Sequence, residues 1–303
     1  MSSSPSSPRA QEAASGPVAP WRMSADDWKG ILLGVYHDFN DDRIMAIAGG
    51  VVFYALLAIF PAITAFVSLY GVFADPSTVA AHLALVQELL PAGAYSIFQD
   101  QADRAAENGA AQLGLTSLLA LLFAIWSANT GTKAIMDALN VVYNQTETRS
   151  FLKFNLVSMV LTLGTMAALM LALGAVVVLP LLLAAFGVGS IGNLEFLRWP
   201  LLLVLILAGL AVLYRFGPAR KQPHWSWFSV GAVVAAASWI ATSALLSWYL
   251  SNVANYNAIY GSLGAVVGLM IWMWVSAIVI LIGAALDAQI AQRARANMKT
   301  GTR

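Results

Sequence analysis

The sequence predicts an all-α, polytopic membrane protein with six transmembrane helices and both termini in the cytoplasm. Three observations predict it. The chain is 59% hydrophobic and only 10% charged, against roughly 25% charged in an ordinary soluble domain. Within 303 residues lie six apolar stretches, each long enough to cross a hydrocarbon core of about 30 Å. Lysine and arginine also fall on alternate sides of those stretches. With the N-terminus inside, Arg9, Arg22, Lys29, Arg43, Lys133, Arg149, Lys153, Arg215, Arg220, Lys221, Arg293, Arg295, Lys299 and Arg303 are cytoplasmic. Only Arg104 and Arg198, of 16 such residues, fall outside. A bias of this kind sets membrane orientation.

The elements follow in order. Residues 1–23 are rich in Ser, Pro and Ala, lack an apolar signal region and read as a disordered tail. Ser24 with Asp26 and Asp27 reads as a helix N-cap with acids in the first turn. Trp28, Ile31, Leu32, Val35 and Phe39 then recur at helical spacing, opposite Lys29 and Asp38. Residues 24–40 are therefore expected to form an interfacial helix on the membrane. The spans are expected at about 44–73, 113–143, 154–186, 196–216, 227–250 and 262–286. Pro61 in the first and Pro180 near the end of the third remove a backbone hydrogen bond and favour kinks. Short helices are expected in the first outer loop, which carries Asp75, Glu88, Asp100, Asp103 and Glu107. One membrane domain covers 24–290, and 291–303 is a basic cytoplasmic tail.

Two polar constellations stand out. Asn129, Lys133, Asp137 and Asn140 lie at i, i+4, i+8 and i+11, on one face of the second span. Lys133 and Asp137 can pair. A charge at mid-bilayer costs about 2.5–3.5 kcal/mol on insertion scales, so such residues face a bundle interior or a cavity. Near the helix end, Lys133 can instead snorkel to the interface. The second constellation is the uncharged turn 251–262, with Asn255, Tyr256 and Tyr260. Its amides and phenols suit a headgroup or hydroxylated ligand, and equally a capped turn with interfacial tyrosines. Gly261, Gly264 and Gly268 form a small-residue face for close helix packing. Ser238, Thr242, Ser243 and Ser247 can bond across helices or back to their own backbone.

Several functions find no support. A formal net charge of +1 gives no basic footprint for nucleic acid. Cysteine is absent, which removes disulfides, thiolate nucleophiles and Cys-based metal sites. His37, His82 and His224 are not at ligand spacing, and neither a Walker A loop nor a hydrolase motif occurs. No enzyme activity, cofactor or metal is expected. Transport, if it occurs, is passive, gradient-coupled or driven by a partner.

Certain strings resemble a known family. They are 53–61 (FYALLAIFP), 138–143 (ALNVVY), 213–218 (LYRFGP), 254–256 (ANY) and 260–265 (YGSLGA). Their order and spacing, over about residues 40–290, resemble the YihY / virulence-factor BrkB family of bacterial inner-membrane proteins. The resemblance implies a six-span, multi-pass inner-membrane fold. The family was once labelled ribonuclease, yet RNA hydrolysis would need water-exposed acid/base groups or metal-holding carboxylates. Members have been associated with envelope integrity, serum resistance and movement of lipid precursors. The resemblance thus implies a transporter or flippase for a lipid-like or amphiphilic envelope substrate, with membrane lipids as partners. The alternative is a non-transporting structural or adaptor protein of the envelope. Homo-oligomerisation is not predicted. One departure is clear: where the family ends its last span with a Gly-Ala-Glu-Leu-Asn-Ala-like string, Ala285 replaces the Glu and Asp287 lies two residues on.

Overall fold

The computed structural model describes residues 23–70, 99–100, 103, 115–185, 198–220, 229–252 and 264–300. Among them every long element is a helix: α1 Ala25–Asp41, α2 Ile44–Tyr70, α3 Leu115–Val142, α4 Phe151–Ala185, α5 Arg198–Phe216, α6 Val230–Asn252 and α7 Gly264–Thr300. Phe151–Ala172, Val230–Tyr249 and Val266–Asn297 are each long and apolar enough to cross a membrane. Ala25–Asp41 with Ile44–Ile59 meets the same description as a pair bent by 60°. Pro200–Phe216 is a shorter apolar helix. The sequence's six crossings are thus matched by three or four among the described residues.

The helix ends obey local rules. Ser24 Oγ accepts the Asp27 N–H at 3.1 Å, and the Ser24 N–H donates to Asp27 Oδ2 at 3.1 Å. This reciprocal capping box satisfies two amides that the first turn leaves orphaned. The bend after α1 passes through Arg43, whose φ is 52°. Beyond the end of α3 the chain turns through Asn144, with φ 51°. The Asn144 N–H donates to the Val141 carbonyl, and the Gln145 N–H donates to that of Asn140, both at 2.8 Å. This is the Schellman pattern, and asparagine tolerates its left-handed position better than most residues.

The core is built from small side chains. Ile44 and Ala48 of α2 meet Ala138, Leu139 and Val142 of α3. Leu210 and Tyr214 of α5, Ala232, Ala235 and Ala236 of α6, and Ala277, Leu281, Ala284, Ala285 and Ala288 of α7 complete it. Small residues let helix backbones approach where lipid gives no hydrophobic drive to associate. Indole donors tie the helices further: Trp239 Nε1 donates to Ser276 Oγ at 2.9 Å, Trp272 Nε1 to Ser243 Oγ at 3.1 Å, and Trp274 Nε1 to the Met45 carbonyl at 2.9 Å. Ser243 thus bonds across helices, whereas Thr242 bonds back to the Ser238 carbonyl at 2.7 Å.

Two details refine the reading of the chain's ends. The apolar face read on α1 divides. Ile31, with Trp28 and Val35, packs against Leu286, Ile290 and Ala294 of α7, while Leu32 stays 60% exposed. Arg293 Nε donates to Asp27 Oδ1 at 2.8 Å, and Gln289 Nε2 to Asp38 Oδ2 at 2.6 Å, across the same contact. The Arg293 guanidinium beside Asp27 holds that carboxyl well below the usual carboxylate range. The tail set apart at 291 also continues α7 to Thr300. Its Ala, Gln and Arg residues are strong helix formers, and α1 gives their apolar side a partner.

Candidate functional site

The four polar residues read as a stripe all lie on α3, and their surroundings differ. Asn129 is 1% exposed, and its Oδ1 lies 3.1 Å from Thr162 Oγ1 of α4. Thr162 Oγ1 also lies 2.7 Å from Thr132 Oγ1 and 2.9 Å from the Ser158 carbonyl. Its single hydrogen serves one acceptor at a time, and Thr132 supplies a second donor. One turn on, Lys133 Nζ donates to Asn155 Oδ1 at 2.6 Å, and Asn155 Nδ2 donates to the Phe151 carbonyl at 2.7 Å. The expected Lys133–Asp137 ion pair is not among the ion pairs of the described residues. The reason is reach: Asn155 on α4 offers Lys133 an acceptor within hydrogen-bond distance. Asp137 is left exposed between buried neighbours.

Asn140 is 5% exposed and belongs to a network. Its Oδ1 accepts the Ala219 N–H at 2.7 Å, and its Nδ2 donates to Glu147 Oε2 at 3.0 Å. Arg149 grips Glu147 with Nε at 2.8 Å and Nη2 at 2.7 Å. It also donates Nη1 to the Phe216 carbonyl at 3.0 Å and Nη2 to the Gly217 carbonyl at 2.7 Å. The cation thereby caps the carbonyl end of α5, where helix dipoles favour positive charge. Arg220 lies over the Tyr143 ring, 4.0 Å from its centroid, and donates to the Tyr214 carbonyl. Neighbouring ends of α3, α4 and α5 are therefore locked together by side chains.

Glu147 shows the electrostatic consequence. Its hydrogen bonds to Arg149 pull its pKa from the ordinary glutamate range down to about 2. A depressed carboxylate stabilises the fold above its unfolded pKa and loses that contribution as pH falls through the folded value. The stability gap between wild type and Glu147→Gln should therefore be widest near neutrality. It should close as pH falls toward 2, which thermal unfolding in detergent would measure. The group is largely solvent-exposed, so the gap will be small.

The remaining candidates are placed as follows. Pro61 lies inside α2 and Pro180 inside α4. Gly264 is the first residue of α7, and both it and Gly268 are buried. Asn255, Tyr256, Tyr260 and Gly261 lie outside the described residues. The structure adds Asn155, Thr162, Glu147, Arg149 and Arg220, which the sequence reading did not single out. Arg149 and Arg220 were visible there only as loop cations.

The family described as Virulence factor BrkB matches residues 35–303. The ribonuclease-like protein YfkH of Bacillus subtilis (strain 168) is 31% identical over 256 residues, covering 80% of this chain and 88% of YfkH. A UPF0761 membrane protein of Vibrio vulnificus (strain YJ016) is 26% identical over 258 residues, covering 84% and 80%. Another, from Albidiferax ferrireducens, is 26% identical over 275 residues, covering 87% of this chain and 62% of that longer protein. No solved structure matches the chain. With its apolar helices and a match over most of its length, the chain is a membrane protein and belongs to the virulence factor BrkB family.

Proposed function

We propose that the protein is a six-span transporter of the bacterial inner membrane that moves a lipid-like or amphiphilic envelope substrate. The observation that carries this reading is the outer face of α3. Leu119, Phe123 and Trp126 are exposed there at 55%, 61% and 60%. They share a helical face with Lys133 and Asp137, about two and three turns beyond Trp126. An apolar stripe ending in opposite charges at a helix end matches an amphiphile, tails along the stripe and headgroup at the charges. Moving such a molecule makes and breaks no covalent bond, so the reading assigns the protein no catalytic residue.

The topology has support of its own. The end of α3, the start of α4 and the end of α5 meet in the Asn140–Glu147–Arg149 network. The start of α2 meets α7 through Met45 and Trp274, and the start of α6 meets α7 through Gly231 and Asp287. These joins suit antiparallel traverses with the basic loops on the cytoplasmic side. The 60° bend between α1 and α2 suits an α1 lying along the cytoplasmic interface.

A second reading, a non-transporting structural or adaptor protein, is favoured by Asn129 and Asn140, whose polar atoms are taken by neighbouring segments. A translocation assay separates the two. In proteoliposomes carrying a headgroup-labelled phospholipid, wild-type protein should speed exchange between leaflets. Asp137→Ala should slow that exchange several-fold, while Asp75→Ala in the first loop leaves it unchanged. No acceleration by properly folded wild type, or equal rates in all three proteins, would overturn the transporter reading.

A further inference from the structure

The two charges at the end of the α3 stripe do not satisfy each other. Lys133 Nζ donates to Asn155 Oδ1 at 2.6 Å, and Asn155 is itself held by donating to the Phe151 carbonyl at 2.7 Å. One ammonium hydrogen is thus used, and the others remain available. Asp137 is exposed, and among the described residues its carboxylate accepts no hydrogen bond and forms no ion pair. The other charges near it are Glu147 and Arg149, which neutralise each other as an ion pair at 2.7 Å. Lys153, two residues before Asn155, lies about 200° from it around α4. A separate positive group and a separate negative group are therefore presented one turn apart on α3.

Their order along the helix carries the chemistry. The exposed apolar side chains Leu119, Phe123 and Trp126 come first. Half-buried Thr130 follows about 6 Å beyond Trp126, Lys133 about 4–5 Å beyond Thr130, and Asp137 about 6 Å beyond Lys133. At about 100° per residue, all six fall within a sector of about 80°. In a glycerophospholipid of the cytoplasmic leaflet, the order from bilayer centre to water is acyl chain, ester, phosphate, then headgroup substituent. Leu119 to Trp126 stand level with the chains, Thr130 with the esters and Lys133 with the phosphate. Asp137 stands level with whatever lies beyond the phosphate. A carboxylate there repels an acidic substituent and attracts an ammonium. It favours an ammonium with N–H bonds, because a charge-assisted hydrogen bond adds to the attraction. A quaternary ammonium has no hydrogen to donate.

We propose that this face selects an aminophospholipid, an amphiphile whose phosphate is bound by Lys133 and whose primary ammonium, beyond the phosphate, donates to the Asp137 carboxylate. The assignment rests on the reading of α3 as the amphiphile's seat, and names the headgroup class that reading leaves open. The Lys133–Asn155 bond keeps the two charges from cancelling. A cation alone on this face would select acidic lipids, as basic residues beside a membrane do. The carboxylate one turn on reverses that preference.

The test is a lipid titration of the purified full chain in detergent, read by native mass spectrometry. The probes share dioleoyl chains and differ only in headgroup: phosphatidylethanolamine, phosphatidylcholine and phosphatidylglycerol. Wild type should bind phosphatidylethanolamine tightest, by about tenfold over phosphatidylcholine, the effect of one hydrogen bond to a charged group. It should disfavour phosphatidylglycerol. Asp137→Asn, at an exposed position, should shrink the preference for ethanolamine and raise the binding of phosphatidylglycerol. Lys133→Gln should weaken all three lipids alike, because each has the phosphate. Glycerophosphoethanolamine, the same headgroup without chains, should compete poorly. Equal wild-type affinity for the three lipids, a preference unchanged in Asp137→Asn, or full competition by glycerophosphoethanolamine would overturn the proposal. Ethanolamine-selective binding without faster exchange between leaflets would defeat the transporter reading alone. Faster exchange of all three headgroups alike would defeat the headgroup assignment alone.

Discussion

Gly283→Ala is expected to part α6 from α7 and to be among the most damaging single-methyl changes in the described core. The added Cβ would stand 2.6 Å from the Ala235 Cβ, from the Gly231 carbonyl oxygen and from the Tyr214 hydroxyl. None of these is the far end of a flexible chain. Ala235 and the Gly231 carbonyl belong to the opposing helix, and Tyr214 is fixed by donating to the Ile280 carbonyl at 2.6 Å. Relief requires backbone movement, which costs about 1–3 kcal/mol in well-packed interiors and sometimes more. Gly231→Ala meets the same contact from the other side and displaces the Asp287 side chain as well. The control is Gly209→Ala on α5, where nothing lies within 4 Å of the new methyl. Helix propensity alone favours that change by about 0.5–1 kcal/mol. Thermal unfolding in detergent should place Gly283→Ala and Gly231→Ala well below wild type, with Gly209→Ala at or above it. Equal stabilities would mean that α6 and α7 do not meet at these glycines.

Asn140→Ala is expected to cost nearly as much, by a different route. Asn140 supplies the acceptor for the buried Ala219 N–H and a donor for Glu147. Truncation orphans the buried Ala219 N–H, while Glu147 keeps Arg149, and an unsatisfied buried polar group costs about 1–3 kcal/mol. The segment after α5 would lose its anchor to α3, while Arg149 still holds Phe216 and Gly217. Asn140→Asp separates the two roles. It keeps an acceptor for Ala219 but sets a carboxylate against Glu147, and should also destabilise. Proteolysis of the 217–229 segment and thermal unfolding measure both variants. A fully stable Asn140→Ala would show that the stripe contributes nothing to the fold.

Much of this molecule can be read one element at a time. Ser24 and Asp27 announce the start of α1, because a capping box needs only four consecutive residues. The helix positions follow from apolar runs, and Asn129 to Asn140 share a face by spacing alone. What the sequence conceals is which faces meet. Spacing on α3 lets Lys133 pair with Asp137, yet its acceptor is Asn155, 22 residues away on another helix. Glu147 and Arg149 look like loop charges until Phe216 and Gly217 come beside them. Gly264 and Gly268 advertise close packing through their four-residue spacing. Gly231 and Gly283, which meet backbone to backbone, lie on different helices and share no local pattern. Ala285 illustrates the same limit. It is fully buried in the core, while Asp287, two residues on, turns to the end of α6.

That an amphiphile seats its headgroup at Lys133 and Asp137 is tested most directly by native mass spectrometry. The protein would be gently extracted, and its retained lipids identified after dissociation. Lys133→Ala/Asp137→Ala would be run beside the wild type. The expected result is a defined lipid or lipid precursor that stays with the wild type and is lost from the double variant. Bulk phospholipid alone, retained equally by both, would contradict it.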